Sequence, residues 1–153
     1  MKKTKIGIIG CGMISGAYLK AASRFQAIEV IAGSDILPGQ AEKKRDEFKE
    51  FGYTPENFKT YTALPDGTNP DILANPEIEV VINLTPPKQH SFVDMQILSA
   101  GKHAYSEKPF GVNLDDARKV VELAEAKNLR CGCAPDTFLG GGQQTARKMI
   151  DDG

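Results

Sequence analysis

Short apolar runs and longer amphipathic stretches alternate along this chain from its start. Lys5-Ile6-Gly7-Ile8-Ile9-Gly10 is brief, β-branched and bounded by glycine, the pattern of a buried strand. Ile14, Ala17, Tyr18, Ala21, Ala22 and Phe25 follow at the three-and-four spacing of one helix face. Ile28 to Ser34 predicts a second strand that ends at Asp35. Pro38 opens a charged helix, Gln40 to Phe51, with Phe48 and Phe51 as its apolar contacts and Lys43/Glu47 and Asp46/Lys49 as surface pairs. A short strand is expected at Lys59-Thr60-Tyr61-Thr62, a loop at Pro65-Asp66-Gly67 and a short helix over Asp71 to Asn75.

The second half repeats the alternation more plainly. Ile78 to Leu84 reads as a strand. A helix begins at Pro87 and stops at Gly101, a glycine suited to the left-handed cap. His103 to Ser106 is a strand. Asn113 caps a helix with Asp115 and Asp116 in its first turn and Leu114, Ala117, Val120, Val121 and Ala124 as its apolar face. Leu129 to Ala134 is a sixth strand, and Gln143 to Asp152 a last helix. Strands that alternate with helices pair in parallel through right-handed crossovers. Near-continuous apolar strands imply a sheet covered on both faces. The predicted fold is a doubly wound α/β Rossmann domain of six strands, in the order 3-2-1-4-5-6.

Composition narrows the class. Nineteen Lys and Arg against twenty Asp and Glu leave a net charge of −1, without the basic excess that marks a nucleic-acid binder. The 153 residues suit one domain with a real core. Three cysteines, an odd number, argue against a disulfide framework and for a reducing, cytoplasmic setting. Met1-Lys2-Lys3 and the apolar residues after it resemble a signal peptide, but glycines 7, 10 and 12 break the run. No stretch has the roughly 18 apolar residues of a membrane span. Cys131 and Cys133 share a strand face but lack partners at metal-site spacing, so they read as small core residues and no metal site is expected.

The chemistry gathers at strand ends. Gly10-Cys11-Gly12-Met13-Ile14-Ser15 lies between the first strand and the first helix, a G-x-G-x-x-G turn with Ser15 in the third position. Gly10 permits the turn, Gly12 lets backbone approach a pyrophosphate, and the helix N-terminus offers N–H groups and a positive dipole. The Ser15 hydroxyl either binds phosphate or caps the helix. Asp35, at the end of the second strand, is placed to accept both ribose hydroxyls of an adenosine and to repel a 2′-phosphate. NAD is therefore expected over NADP, although Lys43-Lys44-Arg45 offers NADP an alternative anchor. Gly10, Gly12, Met13, Ile14, Ser15, Asp35 and Ile36 are the expected cofactor contacts of this half. Cys11, beside a helix N-terminus, is expected to have a lowered pKa and to be alkylated readily.

Together with that turn, Asn83-Leu84-Thr85-Pro86-Pro87 with His90, and Glu107-Lys108-Pro109, resemble the glucose–fructose oxidoreductase / inositol dehydrogenase (Gfo/Idh/MocA) family over the whole chain. Ala134 to Gly142 resembles one branch of it. The resemblance implies an NAD(P)-dependent oxidoreductase of sugars, cyclitols and related polyols. It implies an N-terminal Rossmann domain and a second domain that holds the substrate wall and the homo-oligomer contact. It places Thr85 and Pro86 at the nicotinamide end, with Lys108 as the group that handles the substrate hydroxyl proton. Glu107 is expected to contact the nicotinamide ribose, to position Lys108 or merely to flank it, and His90 to meet the pocket mouth as a cofactor contact or else to cap its helix or face solvent. Residues 1–135 would then be the dinucleotide domain. Residues 136–153 would be a crossover and helix leading toward a domain absent from this sequence, so the chain alone is expected to bind cofactor and turn over poorly. Asp136 and Thr137 are weaker candidates for substrate contact. A nucleotide-binding regulatory module without turnover and a methyltransferase using S-adenosylmethionine remain as alternatives.

Overall fold

The computed structural model describes residues 2–49 and 58–153. Six parallel strands form one sheet in the order β3-β2-β1-β4-β5-β6. They are β1 (Thr4–Ile9), β2 (Ile28–Asp35), β3 (Lys59–Thr62), β4 (Val80–Asn83), β5 (His103–Glu107) and β6 (Cys131–Ala134). The connecting helices are α1 (Ser15–Ala22), α2 (Gln40–Lys49), α3 (Pro70–Ala74), α4 (His90–Ser99) and α5 (Leu114–Ala126), and α6 (Gly141–Asp152) follows β6. A 3-10 turn at Pro87–Gln89 leads into α4, because the two prolines hold the chain away from regular helix until His90. The predicted strand order and parallel pairing hold.

Two apolar clusters flank the central strands. Ile6, Ile8 and Val30 pack with Leu19 of α1 and Phe48 of α2. Ile9, Ile31 and Val81 pack with Ile72 of α3, Val93 and Ile97 of α4 and Val120 of α5. Phe48 meets Phe58 with tilted rings, centroids 6.3 Å apart. Phe51, the other expected contact of α2, lies outside the described residues.

Both-face coverage holds only for β1 and β2, where burial is continuous along the strand. In β5 burial alternates, and Tyr105 is 39% exposed. Cys131 and Cys133 are half-buried rather than core residues. α6, which could have covered that face, buries none of its residues.

Two helices are rotated from their predicted faces. α1 buries Ser15, Leu19 and Ala22, while Ala17, Ala21 and Phe25 are exposed. The glycine turn sets this rotation by seating Ser15 inward, and the helix ends before Phe25. α5 buries Val120 and Ala124 but exposes Leu114 and Val121. Its Asn113 cap is as expected, with Oδ1 accepting from the Asp115 and Asp116 amides at 2.8 and 3.3 Å. On α2, Glu47 pairs with Lys44 rather than Lys43.

Two devices fix the ends of α3 and α4. Gly101 takes φ +77°, and the Gly101 and Lys102 amides donate to Leu98 and Ile97 carbonyls. Lys102 is itself buried, and its ammonium donates to the Asn75 and Ile78 carbonyls at 2.7 and 2.9 Å. Burial pushes its pKa down.

Candidate functional site

The carboxyl ends of β1 to β4 open onto a cleft of about 710 Å³, within the ordinary range for a small-molecule site. Strand pairing brings its walls together. The Gly10 amide donates to Ser34 O and the Leu84 amide to Ile9 O, each at 2.8 Å, so the turns after β1, β2 and β4 leave the sheet side by side. Gly10 sits at φ +94°, and a Cβ there would lie 2.7 Å from the carbonyl carbon and oxygen of Leu84. Only glycine satisfies both conditions.

The glycine turn is held from behind. Asp35 accepts the Cys11 amide at 2.7 Å through Oδ2 and the Leu37 amide at 2.9 Å through Oδ1. Each oxygen keeps a second lone pair for a ligand hydroxyl. Gln40 of α2 donates to the Cys11 carbonyl at 2.7 Å. A trans peptide sets its carbonyl and its amide on opposite sides, so this bond also fixes the direction of the Gly12 N–H. A Cβ on Gly12 would meet nothing within 4 Å, which leaves open space beside that amide. No side chain caps the first turn of α1. Its amides and Gly12 thus form a cradle that fits a pyrophosphate. The buried Ser15 hydroxyl takes neither expected role and donates to Gly12 O at 2.6 Å.

Of the residues named as cofactor contacts, Gly10, Gly12, Met13, Ile14, Asp35, Ile36, Thr85 and Pro86 line the cleft. Ser15, His90, Glu107 and Lys108 do not line it. His90 is a correction: its ring is 1% exposed, with Nδ1 2.6 Å from Pro109 O and Nε2 2.8 Å from Thr85 O. Both ring nitrogens face backbone carbonyls, so the ring does not reach a ligand directly. Cys11 is a second correction. Its thiol lies against Gly33 and donates to Ser34 O at 3.5 Å. Burial, with Asp35 nearby, pushes its pKa up to about 12 instead of down. The side chain points into the sheet, away from the helix dipole.

The far wall rests on a buried polar cluster. Asn83, at the end of β4, donates to the Asp94 carboxylate at 2.8 Å and to His90 O at 3.0 Å. Its Oδ1 accepts the Thr85 hydroxyl at 2.6 Å. Ser106 on β5 lies 2.6 Å from both Asp94 oxygens. Desolvation raises the pKa of Asp94, while the Ser106 and Asn83 hydrogen bonds and the nearby His90 act the other way. Asn83 pairs with Ser106 across the sheet, so Thr85 and Lys108 leave neighbouring strands at the same level. Glu107 accepts the Tyr18 hydroxyl at 2.8 Å and the Lys108 amide at 2.9 Å, which ties α1 to this loop. Burial and Glu107 together push the Tyr18 pKa up. The Lys108 side chain is exposed.

Sequence reasoning missed the third wall. Asp66, Gly67 and Asn69 of the loop after β3 line the cleft, and Gln40 braces its floor through Cys11. The rule that ligands sit at carboxyl ends of strands pointed to that loop, but nothing in Pro65-Asp66-Gly67 distinguishes it from an ordinary turn. Two cations of the basic run of α2 are paired within the helix: Lys44 with Glu47 at 2.6 Å and Arg45 with Asp46 at 3.0 Å.

Residues 4–134 match the family described as an oxidoreductase family with an NAD-binding Rossmann fold. The chain belongs to the Gfo/Idh/MocA family. Among its relatives is the inositol 2-dehydrogenase of Salmonella typhimurium, 31% identical over 125 residues, which are 81% of this chain and 34% of that protein. The chain spans about a third of the length of such curated relatives. Two solved structures share the fold closely. The WlbA dehydrogenase of Bordetella pertussis, in complex with NADH and UDP-GlcNAcA, gives a TM-score of 0.84 at 20% identity over 99% of this chain and 43% of that one. A 3-ketoreductase from Actinomadura kijaniata, with TDP-benzene and NADP, gives 0.81 at 20% identity over 99% and 45%. The Gfo/Idh/MocA chain is thus a Rossmann domain of an NAD(P)-binding oxidoreductase family. No helix among the described residues is long and apolar enough to cross a membrane.

Proposed function

We propose that this chain is the cofactor-binding part of a dehydrogenase that oxidises an alcohol carbon of a sugar, cyclitol or related polyol, with NAD preferred over NADP. The observation that carries the reading is Asp35, whose carboxylate stands at the cleft and grips the glycine turn at 2.7 Å. A 2′-phosphate there would meet a negative charge, and two of the cations that could offset it, Lys44 and Arg45, are paired within α2. The relatives named for inositol support the polyol class.

In this reading the Gly12 amide and the α1 N-terminus hold the pyrophosphate, and Asp35 holds the adenosine ribose. Thr85 and Pro86 flank the nicotinamide end, and Lys108 reaches the substrate hydroxyl. When bound, the nicotinamide supplies the hydride acceptor. The Lys108 amine takes the hydroxyl proton as the carbonyl forms, and Glu107 fixes the backbone from which Lys108 extends.

Calorimetric titration of this chain with NAD, NADP and S-adenosylmethionine tests the cofactor assignment. Binding of NAD with at least tenfold preference is expected, reversed or abolished in Asp35→Ser. Tighter binding of NADP, or of S-adenosylmethionine alone, would overturn it.

A further inference from the structure

The cleft has two loops at its nicotinamide end, one after β4 with Thr85 and Pro86 and one after β5 with Lys108 and Pro109. No hydrogen bond among the described residues links them directly. One side chain lies between them. His90, the first residue of α4, places Nε2 2.8 Å from the Thr85 carbonyl and Nδ1 2.6 Å from the Pro109 carbonyl. A backbone carbonyl only accepts, so each contact requires an N–H on the ring. Neutral imidazole carries one, and the protonated ring carries two. The ring is 1% exposed, so water does not replace a missing donor.

We propose that His90 is a positioning residue that staples the two loops together from beneath, donating from both ring nitrogens and thereby aligning the nicotinamide end of the cleft. The staple rests on the cofactor reading above, and it adds a function to a residue that touches no ligand. The surroundings suit a doubly donating ring. Asp94, one helical turn along α4, is the buried acidic group beside it, itself held by Asn83 of β4 and Ser106 of β5. The other charged groups near the ring are Lys88 in the turn before α4 and Glu107 and Lys108 at the end of β5. Lys88 and Lys108 are exposed, and Glu107 is committed to Tyr18 and the Lys108 amide. Without the ring the two loops lose their link, while the glycine turn, braced by Asp35 and Gln40, is untouched.

The test compares NAD with ADP-ribose, which lacks the nicotinamide ring, by titration calorimetry. In His90→Phe the affinity ratio of NAD to ADP-ribose should fall several-fold from that of the unaltered chain, with ADP-ribose itself nearly constant. His90→Gln, whose amide mimics Nε2, and His90→Asn, which mimics Nδ1, each keep one donor and should give intermediate ratios. A ratio in these variants equal to the unaltered chain's overturns the staple. So do variants that weaken NAD and ADP-ribose equally. Binding of neither ligand by the unaltered chain overturns the cofactor reading itself, a different outcome from the first two.

Discussion

The two ends of the cleft are built by opposite means. At the β1–β2 end the chain offers backbone, and side chains stand behind it: Asp35 holds the Gly10–Cys11 peptide by its N–H and Gln40 the Cys11–Gly12 peptide by its carbonyl. At the β4–β5 end the support is a buried polar cluster of Asn83, His90, Asp94 and Ser106, each at most 1% exposed. The first arrangement is half open to solvent and contributes little to stability if one partner is lost. The second is sealed, and an unpaired member would carry its full desolvation cost. Damage to the first end should therefore show mainly in affinity, and damage to the second in folding as well as in the hold on the nicotinamide half.

The exception, and the largest expected effect, is the point where the ends touch. Gly10→Ala combines a left-handed φ with a Cβ 2.7 Å from the Leu84 backbone, and should destabilise the chain by about 3–5 kcal/mol in urea unfolding. A loss below about 1 kcal/mol would mean the two turns move apart freely. Next, Asp94→Leu strands the Asn83 amide and the Ser106 hydroxyl and should cost about 3 kcal/mol. If it were neutral, the contrast between the two ends would collapse.

The opposite signature is expected at Asp35. Asp35→Ala should lower stability by about 1.5 kcal/mol, the net worth of a part-buried and an exposed backbone bond, while weakening NAD at least tenfold in calorimetry. Gln40→Leu should do the same more weakly, raising the dissociation constant a few-fold by freeing the Cys11 carbonyl. Equal losses of stability and affinity in both variants would show that the glycine turn is part of the folding core. The smallest effect is a silence: Cys11, with its pKa near 12, should stay unmodified by iodoacetamide at pH 8 with or without NAD. Rapid labelling that NAD blocks would restore the reactive-thiol expectation.

The parts legible in the sequence were those written in backbone terms. The Gly10–Gly12 turn, Asp35 at a strand end and the Asn113 cap follow from local geometry, and the strand order from alternation. Side-chain direction was not legible. Ala17 and Phe25 satisfy the spacing of a helix face, yet the Ser15 bond to Gly12 O decides how α1 is turned. His90 looked like a pocket residue because its sequence neighbours are, but two carbonyls from distant segments claim its ring. Cys11 sits in the glycine turn and still points at Gly33, a relation visible only once β1 lies beside β2.

Lys102 has a use beyond closing the turn between α3 and β4. Its amine is 6% exposed and held by two carbonyls, whereas lysines such as Lys88, Lys108 and Lys119 are on the surface. An acylating reagent followed by peptide mass spectrometry should mark those at once and reach Lys102 only when the α3–β4 junction opens. That one site makes the protein its own gauge of intactness, readable in a crude mixture without a ligand, an assay or a purified sample.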